Sequence, residues 1–94
     1  MDGRRVDRAA AERLGRNVFM ARRRAGFSQE ELGAMASLHR TEIGMVENGT
    51  RLPRADTLIK LASALAVPVG DLVAGIEWTV PASTRPGSFA VGKA

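Results

Sequence analysis

Residues 27–49, FSQEELGAMASLHRTEIGMVENG, decide the fold of this chain, because they contain two helix starts and two helix ends in close succession. The first start is at Ser28, whose hydroxyl can accept from the Glu31 amide while the Glu31 carboxylate reaches back to the Ser28 amide. This capping box predicts a helix with Leu32 and Ala36 on its apolar face. The apolar pattern breaks at residues 37–39, so this helix is short.

A second helix of this stretch is predicted from about residue 39 to residue 47. Apolar spacing resumes at Ile43 and Val46, and the pair Asn48-Gly49 ends the helix because these two residue types tolerate positive φ. The whole stretch is therefore two helices joined by a tight turn and followed by a loop.

Three more helices are predicted, one before this unit and two after it. Apolar residues recur at helical spacing over residues 6–25, with Asp7 as a cap and Gly26 as a stop, which fits one long helix or a frayed arm followed by a shorter one. Residues 58–65 repeat the helical pattern, and Pro68 opens a last short helix. The expected fold is all-α, with five helices.

The C-terminal segment from residue 76 differs in composition from the rest of the chain. Residues 76–80 alternate apolar and polar side chains, residues 88–91 form a second short extended piece, and PASTRPG between them is a loop. The expected division is a flexible N-terminal arm at residues 1–6, a helical domain at 7–75, and a non-helical tail at 76–94 that forms a short strand and serves dimerisation or a partner.

Composition excludes several classes of protein. Ninety-four residues with 45% apolar content describe one small domain, and the absence of Cys removes disulfides, thiolate metal sites and cysteine nucleophiles. One His and no Tyr leave too few titratable groups for an enzyme, so no catalytic residue, metal or cofactor is expected. No apolar stretch approaches the ~20 residues of a membrane span. A cytoplasmic location is expected.

Basic residues are concentrated near the N-terminus. The chain has a net charge of +4, and the first 27 residues contain eight basic against three acidic side chains. Charge alone suits nucleic acid, a membrane surface or an acidic protein. Two helices joined by a tight turn beside a basic segment are what the DNA major groove accommodates.

Three motifs resemble the lambda-repressor-like (XRE, Cro-type) helix-turn-helix family over about residues 14–74. They are the Gly-Phe-Ser-Gln-Glu-Glu-Leu sequence at residues 26–32, the Ile-x-x-Val-Glu-Asn-Gly sequence at 43–49, and the Leu-Ala-x-Ala-Leu-x-Val sequence at 61–67. The resemblance implies a compact bundle of five helices that binds double-stranded DNA in a sequence-specific manner. It further implies a homodimeric transcriptional regulator, expected to be a repressor, on an inverted repeat.

The resemblance also implies which residues contact DNA. Arg40 is the strongest candidate for base recognition, because its planar guanidinium can bond both O6 and N7 of one guanine. Met45 either touches a thymine methyl or packs inward, and His39 is either a contact or a helix cap. In the loop after residue 47, backbone amides and polar or basic side chains are expected to bind phosphate; the alternatives are ordinary loop charge for the two arginines and a helix terminator for Asn48. The full expected set is Gln29, His39, Arg40, Thr41, Gly44, Met45, Asn48, Thr50, Arg51 and Arg54.

Two structural expectations follow from the same resemblance. Arg22 of the first helix is expected to pair with Glu47 in a mostly buried ion pair. Ser37 stands where family members commonly have a turn glycine, so positive φ is expected there, and Gly33 leaves room for the next helix to approach closely.

The tail supports two further hypotheses. Phe19 and Met20 are apolar where polar residues are expected, and Trp78, Val80 and Phe89 are available to cover them. The tail therefore either folds back on the first helix, pairs with a second subunit, or is disordered. An alternative function is an antitoxin-like or accessory module that binds a protein partner through the tail and regulates its own expression through the helix-turn-helix.

Overall fold

The computed structural model describes residues 7–92, so the predicted N-terminal arm at residues 1–6 lies outside the described part of the chain. The first helix is one continuous helix, which decides between the two alternatives left open by its pattern. The elements are α1 (Arg8–Ala25), α2 (Gln29–Ala36), α3 (Arg40–Glu47), α4 (Ala55–Leu65), α5 (Val69–Leu72), β1 (Ile76–Thr79) and β2 (Ser88–Val91).

Local hydrogen bonds fix the helix starts. The Asp7 carboxylate accepts from the Ala10 amide at 3.0 Å, and both bonds of the capping box are present at 2.9 and 2.8 Å between Ser28 and Glu31. The backbone amide of Ser28, and then its hydroxyl, hold the pKa of the Glu31 carboxyl below its usual value. His39 caps α3, since its Nδ1 accepts from the Thr41 amide at 3.0 Å. His39 is therefore a helix cap, one of the two alternatives given for this residue.

The core lies between α1, α2, α3 and α4, with α5 closing one end. Leu32, Ile43, Leu61 and Leu72 are fully buried, and so are Val18 and Val46. Phe27, Leu38, Leu58 and Val67 pack against this cluster while remaining partly exposed. Apolar side chains from all five helices thus meet in one core, as the helical spacing of the sequence predicts.

The turn between α2 and α3 depends on two residues. Ser37 has φ 56° and ψ 43°, the left-handed conformation that costs an L-residue energy because its Cβ approaches the backbone. The Leu38 amide then donates to the Gly33 carbonyl at 2.8 Å. A Cβ on Gly33 would lie 2.6 Å from the Leu38 carbonyl oxygen, so a residue without a side chain is required where the turn folds back.

The tail is an antiparallel hairpin of β1 and β2, in which Trp78 pairs with Phe89 and Ile76 with Val91. The hairpin folds back on α1, because Arg13 Nη1 donates to the Gly92 carbonyl at 2.6 Å and the Gly92 amide donates to Gly75 at 2.8 Å. The disordered alternative is therefore wrong, and the strand pairing occurs within one chain.

The hairpin does not bury the apolar residues that it was expected to cover. Phe19 and Met20 remain 36% and 39% exposed with the hairpin in place. The Phe19 ring is instead covered from its own helix, where the guanidinium carbons of Arg22 and Arg23 lie 5.4 and 5.9 Å from its centroid.

Candidate DNA interface

The N-terminal end of α3 is an exposed polar surface of the helix pair. Ile43 and Val46 are buried and fix the inward side of the helix, so its outward side is set by the helical period. His39, Arg40 and Thr41 are all exposed. Because Nδ1 of His39 accepts the capping bond, Nε2 carries the proton and remains a donor directed away from the cap.

An ion pair between α1 and α3 holds the other end of α3. Arg22 Nε donates to Glu47 Oε2 at 2.6 Å, and Arg22 Nη2 donates to Oε1 at 3.1 Å. A third bond runs from Arg22 Nη1 to the Phe27 carbonyl at 2.7 Å, which links the pair to the start of α2. The two side chains are only 9% and 6% exposed. This pair therefore fixes the position of α3 relative to α1 and α2.

Gln29 joins the same network from α2. Its Nε2 donates to Glu47 Oε1 at 3.0 Å, which leaves its own carbonyl oxygen free of that bond. The Gln29 amide lies against α3, since a Cβ built on Gly44 would lie 3.7 Å from Oε1 and 3.8 Å from Nε2. Gln29 and Gly44 are thus neighbours across the helix pair, and Glu47 orients the amide.

The loop after α3 differs from its expected role in one respect. The Asn48 side-chain oxygen accepts from the Thr50 amide at 2.9 Å and also from the Thr50 hydroxyl. The amides of Thr50 and Arg51 both donate to the Met45 carbonyl, at 3.0 and 3.2 Å. The expectation that backbone amides here are free to bind phosphate is therefore wrong for these two residues. Because the Thr50 hydroxyl also donates to Asn48, the Arg51 guanidinium is the donor that these two residues can offer to a phosphate.

The two loop arginines are both exposed, but their surroundings differ. Arg54 Nε lies 3.6 Å from the Asp56 carboxylate, with side chains 87% and 61% exposed. A pair this exposed contributes about 0–1 kcal/mol, so a phosphate can replace the carboxylate at little cost.

Met45 of α3 is half-buried, so its burial does not decide between contact with a thymine methyl and packing inward. Glu42 of the same helix is half-buried as well.

Two arginines that the sequence analysis did not select lie beside the expected set. Arg8 lines a cleft of about 310 Å³ together with Glu12, Asn48, Gly49 and Thr50. Arg23 lines another cleft with Gln29 and Arg40. The sequence could have pointed to Arg8. Residues 8, 15 and 22 follow one another at intervals of seven, about two helical turns, so Arg8 lies on the same side of α1 as Gly15 and Arg22. Gly15 contacts the end of α3, where a Cβ would lie 2.3 Å from the Val46 carbonyl oxygen.

The class of protein follows from this arrangement of helices and polar residues. A recognition helix with an exposed N-terminal end, supported by a second helix of equal length across a tight turn and flanked by arginines, defines a helix-turn-helix DNA-binding domain. In the described range 7–92, no helix is long and apolar enough to cross a membrane.

The chain belongs to the helix-turn-helix family, whose profile matches residues 19–72. It is similar to the control protein C.SmaI of Serratia marcescens, with 44% identity over 62 residues that cover 66% of this chain and 74% of the relative. It is also similar to the uncharacterized HTH-type transcriptional regulator y4dJ of Sinorhizobium fredii, with 36% identity over 72 residues, 77% of this chain and 92% of the relative.

A solved structure shares the fold. The restriction-modification controller protein C.AhdI of Aeromonas hydrophila superimposes with a TM-score of 0.67 and 33% identity, covering 68% of this chain and 93% of that chain. The lambda-repressor-like resemblance and the five-helix fold are confirmed by these matches. The family consists of DNA-binding transcriptional regulators and not of enzymes, as the composition indicated.

Proposed function

We propose that the chain is a sequence-specific regulator that binds double-stranded DNA as a homodimer and represses transcription from an inverted repeat. In this proposal α3, with its cap at residue 39, lies in the major groove. The observation that supports it best is the exposed cluster of His39, Arg40 and Thr41 at the start of a helix whose far end is held by the buried Arg22–Glu47 pair.

Arg40 is the proposed base-reading residue. It is the first residue of α3 and is exposed, which is where recognition helices meet base edges. A guanidinium bonded to both O6 and N7 of guanine contributes about 1–3 kcal/mol of discrimination. Thr41 and the free Nε2 of His39 are shorter or more constrained, so we assign them to adjacent bases or phosphates. Gly44 and Met45 would face the groove one turn further along the helix.

The loop after α3 is proposed to bind phosphate. The Asn48 side-chain oxygen accepts from the Thr50 amide and hydroxyl, so Thr50 orients Asn48 and directs its amide nitrogen toward the phosphate, while Arg51 and Arg54 supply positive charge. Gln29, oriented by Glu47, is proposed to contact a phosphate or a base edge from the start of α2. Phosphate contacts position a protein on DNA without reading its sequence.

The dimer and the repressor role rest on similarity and geometry together. A single helix-turn-helix reads only a few base pairs, and two related by a two-fold axis read half-sites about one helical turn apart. The similarity to two proteins named as controllers, C.SmaI and C.AhdI, supports a role in gene control. We place this activity in the cytoplasm.

Selection of randomised duplex DNA with the full chain at near-physiological salt tests the proposal. Sequencing of the bound pool is expected to yield a two-fold symmetric site. The matched control is the chain with Arg40→Ala and Arg51→Ala together, which is expected to bind more weakly and to lose the preference at the base pair that Arg40 reads while keeping it elsewhere in the site. Absence of any enriched sequence with the unmodified chain would exclude a sequence-reading role.

A second candidate function is an antitoxin-like or accessory module that binds another protein through the tail. The observation that favours it is the exposure of Trp78 and Phe89, which are 54% and 46% exposed. Isolation of a stable complex in which the hairpin is protected from hydrogen exchange, with no selected DNA site, would favour this function over repression.

A further inference from the structure

One face of the hairpin is apolar and exposed. Side chains alternate between the two sides of a strand, so residues 76 and 78 of β1, and residue 80 just after it, lie on one side. The register pairs residue 76 with Val91 and residue 78 with Phe89, which places both partners on that same side. We name Trp78, Val80, Phe89 and Val91 the hairpin face. These four side chains are 54%, 68%, 46% and 38% exposed, while Ile76 at the end nearest α1 packs against the core.

The hairpin face is a formed surface and not a loose tail. The Trp78 and Phe89 rings meet edge to face, with centroids 5.1 Å apart and planes at 71°. Gly87 admits the indole, since a Cβ there would lie 2.5 Å from Trp78 Cζ2. Arg13 of α1 donates to the Gly92 carbonyl, which holds the C-terminal end of β2 against α1. The face is therefore preorganised, which lowers the entropy cost of burying it.

We propose that the hairpin face is the surface through which two copies of this chain associate, stacked face to face. The inference deepens the proposed dimer and rests on it. Residues 76–92 lie outside the segment matched by the family profile, which ends at residue 72, so this surface is an addition to the DNA-binding unit. An exposed two-stranded sheet with an apolar face gains stability when it is covered.

Charge favours a second copy over an acidic partner. The four side chains of the hairpin face are uncharged, and Glu77 alternates to the opposite side of β1. Two copies of a chain with a net charge of +4 repel each other over most of their surface, and they can approach most easily through a neutral face. An acidic partner would instead be attracted to the arginines of α1.

The area of the hairpin face sets the strength of the contact. From the exposed fractions, and with roughly 150–250 Å² available on each aromatic side chain, the face offers roughly 400 Å² per subunit. A standard stable interface buries about 800 Å² per partner. The dimer is therefore weak in solution, and a DNA molecule with two half-sites completes it by holding the two copies at high effective concentration.

Charged substitutions at residue 80 test this surface. Val80 lies just beyond β1 and is 68% exposed, so Val80→Glu and Val80→Arg both leave the fold intact, which circular dichroism checks. Both charges are desolvated by face-to-face stacking, so both variants are expected to remain monomeric at concentrations where the unmodified chain sediments as a dimer. The matched controls are Ile59→Glu and Ile59→Arg, on an exposed residue of α4.

DNA-binding assays distinguish a defect in dimerisation from a defect in DNA contact. On an inverted repeat, both residue-80 variants are expected to lose about tenfold or more in affinity and to lose cooperativity. On a single half-site, each is expected to match the residue-59 variant of the same charge within about twofold, because the two variants have the same net charge and the same DNA-contacting residues. Failure of every chain to bind half-sites would reject the proposed function, while sedimentation still tests the dimer.

Two results would overturn the inference. One is an unchanged dimer in both residue-80 variants, and the other is an equal loss of association in the residue-59 variants, which would place the interface on α4. A chain that remains monomeric up to the highest soluble concentration and binds both half-sites independently would also reject the hairpin face as a dimer surface.

Discussion

Arg22 of α1 and Glu47 at the end of α3 form a bidentate ion pair, with Nε 2.6 Å from Oε2, and the second carboxylate oxygen also accepts from Gln29 at 3.0 Å. Three helices therefore meet at one carboxylate. Since the side chains are 9% and 6% exposed, neither charge is solvated by water to a useful extent. The geometry of the DNA-reading helix thus depends on a pair of residues that we do not expect to touch DNA themselves.

Removal of either partner should destabilise the fold. Arg22→Met or Glu47→Leu leaves a buried charge without its partner, and we expect the free energy of unfolding to fall by about 3–5 kcal/mol in urea titrations. The double variant should cost less than the sum of the two. Arg54→Ala is the control, since its pair with Asp56 is exposed and should contribute no more than about 1 kcal/mol. Equal effects at residues 22 and 54 would contradict this account.

Glycine at the two left-handed helix ends should stabilise the chain. Ser37 and Ala66 have φ of 56° and 58° without being glycine. Ser37→Gly and Ala66→Gly remove the steric cost of this conformation, about 1–2 kcal/mol, against a loss of chain entropy of about 0.5–1 kcal/mol. We expect each to raise the free energy of unfolding by up to about 1 kcal/mol. Ala34→Gly, in the exposed middle of α2, is the control and should lower it by about 1 kcal/mol.

Arg40 and Arg51 should respond differently to truncation. Arg40→Ala should reduce discrimination at one base pair by about 1–3 kcal/mol while other positions of the site keep their preference. Arg51→Ala should weaken binding to all sequences alike and reduce the slope of log affinity against log salt by about 1. Competition binding over a set of single-base operator variants measures both. A uniform loss in both variants would remove Arg40 from base reading.

The Glu31 capping bond should make the start of α2 sensitive to acid. Hydrogen bonds from Ser28 lower the pKa of Glu31 below its usual value of 4.5, so folding favours the ionised form. The resulting stabilisation is present above the pKa of the unfolded chain and is lost as pH falls through the lower pKa of the folded chain. An NMR titration should give a midpoint below 4.5 for Glu31, and Ser28→Ala should shift that midpoint upward.

Features set by neighbouring residues could be predicted from the sequence. The capping box, the Asp7 cap and the extended tail pieces each depend on a few adjacent side chains and on backbone preferences. The left-handed Ser37 was instead expected from the family resemblance, because family members commonly have glycine at this turn. The periodic apolar positions also identified the core, because a helix with one apolar face must bury it.

Two other features could not be predicted. The amides of Thr50 and Arg51 donate to the Met45 carbonyl, five and six residues earlier, and the residue types of this loop do not show that its backbone turns back onto the end of α3. The Phe19 ring is covered by arginines of its own helix, and the tail packs near Arg13 instead. Both outcomes depend on how α1 is oriented against the rest of the chain.

The attachment of α3 has a consequence for how this protein can change over time. Ile43 and Val46 on the inward side and Glu47 at the end hold the helix, whereas the exposed residues 40 and 41 add little to its attachment. Under the proposed function, substitutions at these outward positions therefore change the preferred operator at small cost in folding free energy. A lineage can thus exchange one target site for another through successive folded intermediates, and a library that varies only these positions should yield mostly folded proteins with new DNA preferences.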